Sequence, residues 1–384
     1  MYKRIISIFL ALLFLSGCTV QNSKEQSRAS KSDVSYVKAV WITYYEMSEL
    51  ISGKSLEEYE TALDEAFSNL SDKGFNRIAI QVRPFADAFY ISLYFPISSY
   101  CFGEQGSDAP FDPLAVICEI AQKHNLEVEA WVNPYRVSNS ADFSKLAATN
   151  KALEWQDTEN LIVTDKGIFF NPASDEVIEL ITNGVAEIAE NYNVASICFD
   201  DYFYPSSDES IDKESYEKNG GKLSLDDWRR DNVNRLVKGV YEKIKSIDES
   251  ISFGISPAAN IENNYRNLYA DVELWATDKG YVDYINPQVY FGFHNEKQPF
   301  MQTVKEWAKT AECDLYISLP LYKAGLEDEY AGKGGMNEFI DNNNIISRQV
   351  NYLSKLDEID GFYIFSYSFL NDSEEAENLY SAMQ

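Results

Sequence analysis

The chain has 384 residues and a formal charge of −28, with 61 Asp and Glu against 33 Lys and Arg. No basic patch of useful size is visible, which argues against nucleic acid or an anionic surface as partner. His124 and His294 are the only histidines and the five cysteines lack metal-ligand spacing, so a histidine-based hydrolase triad or a zinc centre has little to draw on.

Lys3 and Arg4 precede an apolar run from Ile5 to Leu15, followed by Ser16, Gly17 and Cys18. Charge, a short apolar core and small residues make a bacterial secretory signal, too short for an ordinary membrane span. The Leu-Ser-Gly-Cys tetrapeptide resembles a lipoprotein processing box, in which Cys18 becomes the lipid-bearing first residue. The alternative is a plain secretory signal with an incidental cysteine. Residues 1–18 are therefore read as a lipoprotein signal peptide and 19–35, polar and almost without apolar residues, as a flexible tether. Residues 36–384 are read as one domain. The expected setting is the extracytoplasmic cell envelope, with membrane contact through the lipid alone.

Eight apolar runs then recur, each followed by an amphipathic segment. The predicted strands are Val37–Thr43, Arg77–Val82, Glu127–Val132, Ala195–Phe199, Ser252–Ser256, Tyr281–Val289, Leu315–Leu319 and Phe362–Ser366. The predicted helices cover 56–73, 112–124, 175–191, 226–247, 267–279, 299–311, 342–356 and 373–383. Asp112-Pro113 and Ser174 before Asp175 and Glu176 are start signals. This alternation predicts an α/β fold, a (β/α)8 TIM barrel, with an open doubly wound sheet as the alternative. The connections after strands are long (83–111, 133–174, 200–225 and 320–341) and those leading into strands short. Long loops at one end build a cleft on the barrel's catalytic face. A Cys101–Cys118 bridge is open to the chain in an oxidising compartment, whereas Cys198 reads as a small core residue.

The strand ends carry a consistent set of side chains. The fourth run stops at Asp200-Asp201, followed by Tyr202, Phe203 and Tyr204. Two adjacent carboxylates repel, so one retains a proton near neutral pH, and an acid beside a carboxylate is what glycosidic cleavage requires. Other ends supply Tyr45 and Glu46; Arg83 and Asp87; Trp131, Asn133 and Arg136; and Gln288 and Tyr290. Amides, guanidinium groups and aromatic rings suit a sugar, which needs paired hydrogen bonds to its hydroxyls and a flat face against its ring. His294 follows a strand end and is a weaker candidate; His124 reads as a helix-end residue. The Asp-rich stretch 208–217 lacks the regular spacing of a calcium loop, and no metal or nucleotide cofactor is signalled.

Several stretches together resemble the glycosyl-hydrolase-like family 10 proteins of bacterial envelopes. They are Gln81-Val82-Arg83-Pro84 with Asp87, Ala130 to Arg136, Phe199 to Pro205, Trp228-Arg229-Arg230 with Asn232-Val233-Asn234, Gly254 to Pro257, and Pro287 to Tyr290. The resemblance spans about Val37 to Tyr367. It implies a (β/α)8 barrel, a glycosidase, and peptidoglycan strands stripped of stem peptides as substrate. Two departures stand out: Ala195-Ser196 where relatives commonly have Asp-Gly, and Glu129 where many have His. The first predicts altered packing below the cleft; the second, if it points inward, a buried carboxylate needing a partner.

Three functional readings follow. In the first, Asp200 orients the substrate's own acetamido group as nucleophile and Asp201 acts as general acid, then base, by analogy with barrel N-acetylhexosaminidases. It requires the chain to leave strand geometry at Asp200. In the second, one of the pair works with Asp87 or Glu46 as a distant carboxylate, which predicts a trappable glycosyl-enzyme. In the third, the protein is a surface lipoprotein that binds glycans without cutting them. Another polysaccharide than peptidoglycan is compatible with the first two.

Overall fold

A computed structural model describes residues 36–370 and 373–384, and Val37–Gln384 forms one compact unit. Cys18, the expected signal and the tether lie outside the described residues. The strands are β1 (Val37–Ile42), β2 (Arg77–Arg83), β3 (Glu127–Val132), β4 (Arg136–Ser138), β5 (Leu161–Thr164) and β6 (Gly167–Phe170). They continue with β7 (Ser196–Phe199), β8 (Ser252–Ile255), β9 (Tyr284–Ile285), β10 (Asp314–Leu319) and β11 (Gly361–Ile364). Eight of them close a parallel barrel in the order β1-β2-β3-β7-β8-β9-β10-β11. Pairing of β1 with β11, from Val37 opposite Gly361 to Val40 opposite Ile364, excludes the open sheet.

The period of two along each strand divides inside from outside. Val37, Ala39 and Trp41 face a core shared with Ala79, Trp131, Cys198, Tyr284, Tyr316 and Tyr363. The filling is unusually aromatic, and it needs a glycine opposite Tyr284: a Cβ on Gly254 would lie 2.2 Å from that ring. Glu129 does point inward. Its Oε2 accepts from the Ser196 and Tyr363 hydroxyls, each at 2.7 Å, with Arg77 Nη1 3.5 Å away. The two unusual positions, 129 and 196, are thus hydrogen-bonded to one another.

Most predicted elements match within a residue or two. Four differ. The segment after β1, for which no element is predicted, is the helix Tyr44–Ile51, started by a capping box in which Thr43 and Glu46 exchange hydrogen bonds. The expected strand Tyr281–Val289 ladders only at Tyr284–Ile285, because Pro287 has no N–H; Gln288 keeps isolated bridges to Ala258 and Ser318. The expected helix 267–279 forms only at Val272–Thr277, capped by Asp271, and a separate helix, Ile261–Asn267, precedes it. The long connection after β3 carries the antiparallel sheet β4-β6-β5. Cys101, Cys118, Cys198 and Cys313 are free thiols, so no Cys101–Cys118 bridge forms here.

Candidate active site

On β7, Ser196, Cys198 and, by the same alternation, Asp200 face the barrel axis. The ladder stops at Phe199, and the Tyr202 amide donates to Asp200 Oδ1 at 3.2 Å. This Asx-type turn bends the chain out of strand geometry. Asp201, which an uninterrupted strand would aim outward, instead lines the same hollow as Asp200. The hollow has a volume of about 520 Å³ and lies at the carboxyl end of the barrel. Trp41, Trp131, Tyr44, Tyr45, Tyr202 and Phe365 wall it.

Asp200 is almost wholly buried. Trp131 Nε1 donates to its Oδ2 at 3.2 Å and Asn133 Nδ2 donates to the same oxygen. Asn133 is oriented in turn by Gln81, whose Nε2 donates to Asn133 Oδ1 at 2.5 Å. Asp201 is half-buried and accepts from Gln288 Nε2 at 3.2 Å. Burial first, and the neighbouring Asp201 carboxylate second, push the Asp200 carboxyl up to about 7 against the pull of Arg136. Burial raises Asp201 as well, offset by Gln288 and Arg136. The pair therefore holds a proton well above the ordinary carboxylate range.

Arg136 lies beside this pair, its guanidinium 5.1 Å from the Tyr202 ring centre and 4.9 Å from that of Phe85. Tyr45 and Tyr202 are each 57% exposed, flat faces at the mouth rather than core filling. Gln288 and Tyr290 complete the wall. Trp131, Arg136, Tyr202, Gln288, Tyr290 and Tyr45 are thus brought together with the acids, and Asn133 supports Asp200 from behind.

Arg83 and Asp87, expected to bind substrate, do not reach the hollow. Gln81 opposes Trp131 and Arg83 opposes Val132, so a bulge on β2 absorbs one residue and reverses the inward alternation after Gln81. Arg83 is sent behind the barrel wall, its guanidinium 3.9 Å from the Phe95 ring centre and against Gly184 of the helix Asp175–Asn191. Asp87 is buried beside it, accepting from Gln105 Nε2 at 3.2 Å, and burial pushes its carboxyl up to about 6. Gln81, which lines the hollow, is the residue that the period-two reading of β2 would have chosen had the bulge been visible.

Glu46 does line the hollow, but its oxygens are engaged: Thr43 N at 2.7 Å, Ser366 Oγ at 2.8 Å and Ser368 N at 2.6 Å all donate to it. His124 ends its helix and contacts Asp64 at 2.7 Å. His294 is exposed, 3.4 Å from Glu338, and lines no part of this hollow. Among the described residues, no group of three or more His, Cys, Asp or Glu is placed to hold a metal ion.

The model of the family described as glycosyl hydrolase-like 10 matches residues 36–330, a span that contains the fourth barrel stave and its acids. The chain belongs to that family. Among its relatives, glycosyl hydrolase YngK of Bacillus subtilis is 34% identical over 313 residues, which is 75% of this chain and 61% of that protein. This chain therefore spans less than two thirds of that relative. Glycosyl hydrolase DigH of Escherichia coli is 32% identical over 343 residues, 81% of this chain and 76% of its own length. The fold resembles the glycoside hydrolase domain of PgaB (BpsB) from Bordetella bronchiseptica, with a TM-score of 0.59 at 12% identity over 91% of this chain and 99% of that one. At such identity the likeness speaks for the barrel alone.

Proposed function

We propose that this family member is a glycoside hydrolase of the cell envelope that cuts N-acetylhexosamine-containing glycan strands, peptidoglycan freed of stem peptides in the first place. The observation that carries the reading is the Asp200–Asp201 pair, raised in pKa, at the floor of an aromatic-walled hollow. The relatives' names supply the reaction class.

The substrate's acetamido oxygen attacks the anomeric carbon, held and polarised by Asp200 on its Trp131–Asn133 cradle. Asp201 gives its proton to the departing glycosidic oxygen. It then takes a proton from water, which opens the resulting oxazolinium ring at the anomeric carbon. Two observations favour this route over a protein nucleophile: Asp87 lies outside the hollow, and each Glu46 oxygen already accepts from a neighbour. Arg136, Gln288 and Tyr290 bind hydroxyl and amide groups, while Tyr45 and Tyr202 offer flat faces to the sugar rings.

Digestion of peptidoglycan, with and without stem peptides, and mass spectrometry of the new reducing ends tests the reading. Asp201→Asn should lower kcat by on the order of 10²–10⁴-fold with glycan binding retained. Equal activity in variant and parent removes Asp201 from the mechanism. A fluorosugar adduct on the protein would replace substrate assistance by a covalent nucleophile, and glycan binding with no cutting by the parent would leave a binding protein. Lipid attachment at Cys18 accounts for the envelope location. Cys18→Ala should then move the protein from the membrane to the soluble fraction.

A further inference from the structure

A second hollow, of about 510 Å³, opens beyond Asp201 on the side away from Trp131 and Tyr45. It shares three residues with the first, namely Asp201, Gln288 and Tyr290. The residue assigned as general acid therefore stands at the junction of two compartments. Each is in the range of about 300–1,000 Å³ that accommodates a small ligand. A general acid protonates the oxygen that joins two sugar rings. A barrel that trims chain ends closes around a single ring on one side of that oxygen; one with room for more than a ring on both sides takes a chain through.

The chemistry of the second compartment fits uncharged sugar. Asn260 and Gln298 bring amides to it, and Tyr322 an aromatic face. Among the described residues its one lining cation, Lys323, is matched at 2.8 Å by the buried Asp328, so the pair presents polarity with little net charge. Tyr330 stands at its rim 81% exposed, a counterpart to Tyr45 and Tyr202 on the other side. A lone aromatic that exposed and lining a hollow is suited to stack on a ring.

We infer that this second compartment holds the sugar units across the scissile bond from those in the first, so that the cut falls within the chain rather than at its end. The inference rests on the assignment of Asp201 above. Binding of size-sorted, amidase-stripped peptidoglycan glycans to Asp201→Asn protein, measured by calorimetry with and without Tyr330→Ala, tests it. Tyr330→Ala should weaken long-chain affinity about three- to tenfold, the worth of one aromatic contact, and leave a disaccharide's affinity unchanged. The first products of the parent should be chains of intermediate length. Affinity insensitive to both chain length and Tyr330→Ala, or release of terminal sugars from the outset, overturns the inference while leaving the hydrolase assignment intact. Length-dependent binding that Tyr330→Ala abolishes, in a parent that cuts nothing, keeps the compartment and removes the hydrolase.

Discussion

Adjacent acids divide labour only if their surroundings differ, and here they do. Asp200 is packed against Trp131 and Asn133, whereas Asp201 faces the meeting point of two hollows. Arg136 is the charge that opposes their shared rise in pKa. Burial raises both carboxyls, Asp200 to about 7 and Asp201 in the same direction, so the proton that Asp201 donates is lost toward the alkaline side and activity should fall there. Arg136→Gln takes away the stabiliser of the ionised form. Its pH–rate profile should therefore keep activity to higher pH, with the alkaline limb displaced upward; an unmoved limb would detach Arg136 from the pair. The acid pair was readable from the sequence because an apolar run ending in two carboxylates is a local pattern. The Asp200 turn was readable only as a requirement, met through a hydrogen bond from the Tyr202 amide.

Elements decide which candidate residues arrive. The bulge on β2 exchanges Arg83 for Gln81 at the cleft, and it leaves Arg83 against the helix Asp175–Asn191 and Asp87 bonded to Gln105 within the 83–111 connection. That burial has a pH signature. The Asp87 carboxyl, ordinarily at 3.8, is pushed up to about 6 in the folded chain. Between those values the folded state holds a proton that the unfolded state has lost, so this group's contribution to stability is fullest below about pH 4 and is lost as pH rises through about 6. Asp87→Asn should flatten this decline, worth on the order of 2–3 kcal/mol, in melting temperatures taken from pH 4 to 8. A parent-like slope would place the titration elsewhere. The helix Tyr44–Ile51 shows a signal overlooked at the sequence level: Thr43-x-x-Glu46 is a capping box, and it positions Tyr45 at the mouth.

At the scale of the molecule, a closed ring of strands lets distant positions answer one another. Glu129 on β3, Ser196 on β7, Arg77 on β2 and Tyr363 on β11 meet inside the barrel below the acids. Cutting Glu129 back to Ala leaves the Ser196 and Tyr363 hydroxyls short of an acceptor and removes a buried opposite charge from Arg77, which keeps Glu127, and should cost on the order of 3 kcal/mol in denaturant unfolding. The kcat of the protein that remains folded should change little, because this layer is separated from the acids by Trp131 and Cys198. A large loss of kcat with unchanged stability would instead tie Glu129 to the chemistry.

Eight strands, their helices, the long loops at one end and the paired acids all follow from residue order, since alternation, helical spacing and capping residues act over a few neighbours. Which side chains share the mouth does not. Arg83 is lost to a one-residue bulge, Glu46 is claimed by Ser366 and Ser368 from the far end of the chain, and Asp201 faces two hollows only because β8, β9 and β10 carry their loops around it. Those contacts join residues separated by tens to hundreds of positions, and they exist only once the ring has closed.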